Sequence, residues 1–196
     1  MLIDICMGTR TSWKIMLVLS ESPGKAVSKK EIKELTRLGN KTIDKFLLLL
    51  EKFNFIRTKK IGRTKYYNLD MNCQYTKNIL EIVKLEKKES NNLDFYVQNV
   101  LRDFIYELIN LEIEKISKII LFGSYAKKTF TENSDIDLAI IIKEKNPDFE
   151  LAVTDIIDKI KKRYKRDIQP HYFTIEEFDK KDKLALDIMK DGVELL

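Results

Sequence analysis

Two carboxylates, Asp135 and Asp137, stand two residues apart at the head of the apolar run Leu138-Ala139-Ile140-Ile141-Ile142, and that alternation confines the segment to one kind of place in a fold. Successive side chains of a strand point to opposite faces, so both carboxylates project from one face while Ile136 and Leu138 enter a core. Like charges held side by side repel, and the arrangement becomes favourable when a divalent cation sits between them. A hard ion such as Mg²⁺, or Mn²⁺, prefers carboxylate, phosphate and water oxygens. Upstream, residues 119–122 read as a buried strand, and Gly123-Ser124 as the turn from it into a helix. Backbone amides and the Ser124 hydroxyl at such a turn can hold phosphate oxygens, and Gly123, lacking a Cβ, lets a polyphosphate approach closely.

Gly123-Ser124, ten intervening residues, then Asp135-x-Asp137, with Ser134 before the first aspartate and apolar residues after the second, resembles the DNA polymerase beta nucleotidyltransferase superfamily, in particular its minimal members. The resemblance covers residues 94–196. It implies a mixed sheet flanked by helices, a metal bound by Asp135 and Asp137, and transfer of a nucleoside monophosphate from an NTP, expected to be ATP, with release of pyrophosphate. Gly123, Ser124, Ser134 and Lys128 are then the nucleotide-binding positions. Lys128 stands where the family repeats a glycine, and it either clashes there or contacts phosphate. The family's third carboxylate comes from a later strand, here 168–173, entered after a helix over 150–164. Counting back from Thr174-Ile175-Glu176-Glu177-Phe178 lands on His171, and Asp167 could substitute from the strand's edge as a provisional third catalytic acid. The basic run 159–166 reads as a helix C-terminus favoured by the macrodipole, with an acceptor-binding patch as the alternative.

The first 70 residues carry 15 Lys/Arg against 7 Asp/Glu, and the remainder 21 against 24, so the net +5 hides a basic module joined to a mildly acidic one. The basic part reads as three helices and a hairpin. Ser12 caps the first helix, which ends at Glu21-Ser22-Pro23-Gly24. Ser28-Lys29-Lys30-Glu31 is a capping box for the second, which Gly39 stops. Asn40 caps the third, with Ile43, Phe46, Leu47, Leu50 and Phe53 at helical spacing. Strands follow over 55–60 and 63–69, flanking Gly62. That order resembles a winged helix-turn-helix, which implies DNA binding through Lys41, Thr42, Lys45, Lys59, Lys60, Arg63 and Lys65, Thr42 being the base-edge contact. Protein docking or dimerisation is the alternative use, to which Leu48 and Leu49 add apolar surface.

With 44% hydrophobic and 34% charged residues, the 196-residue chain has material for an ordered core. No apolar run approaches the roughly 18 residues of a membrane span, and the first ten residues lack a basic leader, so a cytoplasmic protein is expected. Cys6 and Cys73 lack the paired spacing of a zinc or redox motif, and His171 is the single histidine, so any metal is bound through oxygen. The expected fold class is α+β: a winged helix-turn-helix domain over 1–71, a linker helix over 72–92 and a nucleotidyltransferase domain over 93–196. The expected function is Mg-dependent nucleotide transfer to a hydroxyl of a protein or nucleic acid, with DNA and a protein as partners. The competing reading is a DNA-binding regulator or antitoxin whose transferase domain senses nucleotide without turnover.

Overall fold

A computed structural model describes residues 10–21, 24–89, 93–132 and 134–196. The leader region sought at 1–9, with Cys6, the turn at Ser22-Pro23, the polar break at 90–92 and Asn133 lie outside them. Backbone contacts divide the chain between Lys87 and Lys88 into two units.

In the first unit, α1 (Arg10–Ser20) buries Trp13 through Leu19. It runs from Arg10, so Ser12 lies inside the helix and does not cap it. The predicted capping box is present: the Glu31 amide donates to the Ser28 hydroxyl, and the Ser28 amide to the Glu31 carboxylate, opening α2 (Lys29–Thr36). Two helix ends differ from expectation. α2 closes on Arg37 in the left-handed region at φ 57°, two residues before Gly39, and Gly39 itself is the N-cap of α3 (Asn40–Lys52). Ile43, Leu47 and Leu50 are the buried stripe of α3, whereas Phe53 is exposed. β2 (Ile56–Ile61) and β3 (Thr64–Leu69) form an antiparallel hairpin turning at Gly62-Arg63, and Gly62 takes the positive φ that such a tight turn uses. A strand too short for any periodic signal, β1 (Val27–Ser28), pairs with β3, giving the order β1-β3-β2.

The helix read as a linker, α4 (Gln74–Glu89), packs into this unit. It buries Thr76, Leu80, Val83 and Glu86. The Trp13 indole donates to Glu86 at 3.1 Å, and the Thr76 hydroxyl donates to the Phe55 carbonyl at 3.2 Å. A buried carboxylate without a donor is costly, so the Trp13 contact matters to the helix's seat.

The second unit is built on a four-stranded mixed sheet, order β6-β5-β4-β7. β4 (Ile116–Leu121) runs antiparallel to β5 (Ile136–Ile142) and to β7 (Val193–Glu194), while β6 (Ile168–Thr174) is parallel to β5. α5 (Phe95–Glu112) and α7 (Pro147–Tyr164) supply the long apolar faces of the unit. α5 ends sooner than its apolar spacing suggests, because Ile116 is taken into the sheet opposite Ile142. They are tied by Asp103, buried in α5, which accepts from the Tyr164 hydroxyl at 2.6 Å and from Arg163 at 2.9 Å. Ile120, Ala139, Ile141 and Phe173 form a second core with Phe178 of α8 (Ile175–Asp179) and with Ala185 and Ile188 of α9 (Lys183–Asp191). Among the described residues, no helix is long and apolar enough to cross a membrane.

Between β4 and β5 the chain makes one short helix, α6 (Gly123–Lys127), which closes on Lys128 at φ 58°. A lysine there carries the left-handed penalty that a glycine escapes. Lys128→Gly is therefore expected to raise stability by about 1 kcal/mol in urea unfolding, and Lys128→Ala to bring no such gain.

Candidate active site

The end of β4, the start of β5 and the middle of β6 bring one set of polar groups to one face of the sheet. Leu121 pairs with Leu138, and the Phe122 amide donates to the Asp137 carbonyl at 3.0 Å, so β4 leaves the sheet directly beside Asp137. Gly123 follows at φ 68°. A Cβ at that position would lie 2.1 Å from Asp137 Oδ2 and 3.0 Å from its Cγ. The carboxylate therefore occupies the space that any other residue's side chain would need, and glycine is required by conformation and contact together.

Asp135 is exposed and Asp137 half-buried, with Ile136 fully buried between them on the opposite face. Burial raises the Asp137 carboxyl above its ordinary range; the charge of His171 acts in the opposite direction, and the charge of Asp135 adds to the rise. Ser124 is half-buried, and its carbonyl accepts from the Thr129 amide at 2.9 Å. Ser134 is engaged within its own loop, where its hydroxyl accepts from the Thr131 amide at 2.8 Å. Stacking of Phe130 on the buried Tyr125, with centroids 4.5 Å apart, braces the same loop. Lys128 is exposed beyond the end of α6.

The register of the parallel pair decides what faces the two aspartates. Asp137 pairs with Gln169 and Ala139 with His171, so the residue directly beside Asp137 is an amide. His171, on which the count landed, stands two residues further along the strand, beside Ala139. His171 lies on the same face, its ring 5.1 Å from that of Phe122 in an edge-to-face arrangement. The Ile136 amide donates to the Asp167 carbonyl, which sets Asp167 beside Asp135, but its carboxylate is in a salt bridge with Lys161. That hydrogen bond raises the Lys161 ammonium above its usual range. Among the described residues, no group of three His, Cys, Asp or Glu side chains is placed to hold a metal ion. The pair Asp135 and Asp137 fits Mg²⁺ all the same, since that ion is commonly held by one or two carboxylates with phosphate and water completing its shell.

Beside Asp135 opens a cleft of about 590 Å³ whose lining includes Lys161, Lys162, Lys165 and Arg166 as well as Glu132, Asp158 and Asp167. The end of the basic run therefore lines a cleft as well as closing a helix. Only the fold brings the end of α7 to the head of β5.

A family model for the nucleotidyltransferase domain matches residues 101–195. The chain is similar to the protein named Putative protein adenylyltransferase MJ0604 of Methanocaldococcus jannaschii, 34% identical over 43% of this chain and 80% of the relative. It is also similar to two others from that organism, named Putative protein adenylyltransferase MJ1305 and MJ0141, each 36% identical, over 43% and 23% of this chain. The chain spans about half the length of these two, 54% and 46%. Among solved structures, a toxin-antitoxin crystal structure with AMP-PNP matches at TM-score 0.34 and 24% identity, over 47% of this chain and 70% of that one. With the glycine turn, the same-face aspartates and the mixed sheet already in place, the family model and the curated relatives settle the lineage of the second unit: the chain belongs to the nucleotidyltransferase family.

Proposed function

We propose that the second unit transfers AMP from ATP to a hydroxyl on a protein side chain, in a reaction that depends on Mg²⁺ or Mn²⁺, and that the first unit is a winged helix-turn-helix that holds DNA. The observation that carries the transfer reading is the backbone of Gly123 lying against the Asp137 carboxylate with Asp135 on the same face. The names of the curated relatives support AMP and a protein acceptor.

In this reading Gly123 and Ser124 hold the triphosphate, with Lys128 and Ser134 bordering it, and Asp135 and Asp137 hold the divalent ion. The ion, when bound, neutralises charge on the phosphates. The acceptor oxygen attacks the α-phosphorus. An O–P bond forms as the bond to the oxygen bridging the α- and β-phosphates breaks, and pyrophosphate leaves with that electron pair. The hydroxyl proton passes to water or to Asp167 once its bond to Lys161 opens. In the DNA-binding reading, Lys41 and Lys45, exposed on α3, and Lys59, Lys60, Arg63 and Lys65, exposed on the hairpin, neutralise phosphates, with Thr42 toward the bases.

Gln169 favours a second reading, a nucleotide sensor without turnover, because an amide beside Asp137 can neither carry charge nor accept a proton. Pyrophosphate release from ATP and Mg²⁺ separates the two. Release accompanied by label on protein, falling at least about a hundredfold in Asp135→Asn, supports transfer. Nucleotide binding without release supports the sensor.

Asp137→Asn tests the metal role through stability. The raised carboxyl binds its proton more tightly in the folded than in the unfolded chain, so ionising it weakens the fold as pH rises through the carboxylate range. The metal-free variant is expected to melt above the parent at pH 7, with the gap closing below about pH 4. It should also lose the rise in Tm that Mg²⁺ with a non-hydrolysable ATP analogue gives the parent. For the first unit, duplex DNA affinity is expected to fall steeply with salt. Lys41→Ala and Arg63→Ala should each reduce the log–log slope by about one, and a flat salt response would rule out DNA as the ligand.

A further inference from the structure

The cleft beside Asp135 is lined by both signs of charge: Lys161, Lys162, Lys165 and Arg166, together with Asp135, Asp167, Glu132 and Asp158. Lys161 is engaged by Asp167, whereas among the described residues no carboxylate is paired with Lys162, Lys165 or Arg166. The dipole of α7 favours cations at its C-terminus. Lys165 caps the helix in the left-handed region and Arg166 follows the cap, and both also line this cleft. Arg166 also sits over the Tyr96 ring, 5.9 Å from its centroid, which holds the guanidinium in position.

The cleft abuts Asp135 and Ser134 without reaching Gly123, Ser124 or Asp137. Transfer places the attacking oxygen and the departing pyrophosphate roughly in line across the α-phosphorus. With the phosphates on the Gly123 side of the aspartate pair, the acceptor approaches from the side where the cleft opens.

We propose that this cleft is the acceptor subsite, and that Lys162, Lys165 and Arg166 dock an acidic stretch of polypeptide flanking the hydroxyl that is modified. The assignment rests on the protein-directed AMP transfer proposed above. A compact group of three cations suits two or three neighbouring carboxylates. A nucleic-acid strand needs a longer basic track than these residues supply.

The test uses the full chain with two random copolymers, Glu–Tyr and Lys–Tyr, and an oligoadenylate RNA. Binding is read by fluorescence anisotropy, and transfer with α-labelled ATP and Mg²⁺. Glu–Tyr should bind with strong salt dependence and take label, while Lys–Tyr should do neither. The triple variant Lys162→Ala, Lys165→Ala, Arg166→Ala should raise the KM for Glu–Tyr at least about tenfold and leave the KM for ATP unchanged, and the corresponding Lys162→Arg, Lys165→Arg variant should retain the parent's value. Equal binding of the two copolymers, preference for the RNA, or a change confined to the KM for ATP overturns the subsite. Charge-dependent binding of Glu–Tyr without label on any acceptor, and without pyrophosphate release, upholds the docking role of the cleft and sinks AMP transfer alone.

Discussion

Everything at the candidate site is arranged around a contact between a backbone without a side chain and a carboxylate: Gly123 against Asp137. The contact depends on β4 and β5 keeping register up to Leu121 and Leu138, because one residue of slip would turn both aspartates into the core. Burying half of Asp137 costs stability, and its raised pKa expresses that cost. The sheet carries the strain because Ile119, Leu138, Ile140 and their neighbours are almost wholly buried around it. A charged, partly desolvated pair supported by an apolar strand is what a site needs if it is to gain energy on taking up a cation and phosphates.

The α+β class and the capping box over Ser28–Glu31 were legible in the residues, while the mixed sheet flanked by helices came from the family resemblance. These readings depend on local rules: alternation over 135–138 leading into an apolar run, helical spacing over 150–164, a hydroxyl three residues before a glutamate. What escaped had little or no local signature. β1 and β7 have two residues each and no period to detect, and they exist only because β3 and β4 have free edges to pair. Arg37 and Lys128 end their helices in left-handed conformations that sequence preference assigns to glycine. Apolar residues at Ile113 and Ile116 continue the spacing of α5 past its true end, and only the partner Ile142 shows that the second of them belongs to a strand.

For the site, the same limit appears as a question of register. That Asp135 and Asp137 share a face follows from counting by twos along one strand. Which residue of β6 stands beside them requires knowing how two strands are aligned, and the pairing sets Gln169 beside Asp137 and His171 beside Ala139. The lysines and arginine at the end of α7 posed a similar difficulty. Their composition is what a helix terminus favours anyway, so nothing in the run itself distinguishes a solvated end from the wall of a cleft.

The short strand β7 has a bearing on how this site comes into being. Val193 and Glu194 pair with Leu121 and Ile120, and the Leu195 amide donates to the Ile119 carbonyl at 2.8 Å. The strand that ends in the glycine turn is thus bordered on one side by residues made some seventy positions later. Contacts so distant along the chain are slow to form, because a long loop must close before they contribute anything. During synthesis the aspartates and their glycine emerge well before the edge that borders them, so the ligand-competent pocket is among the last features of the unit to mature.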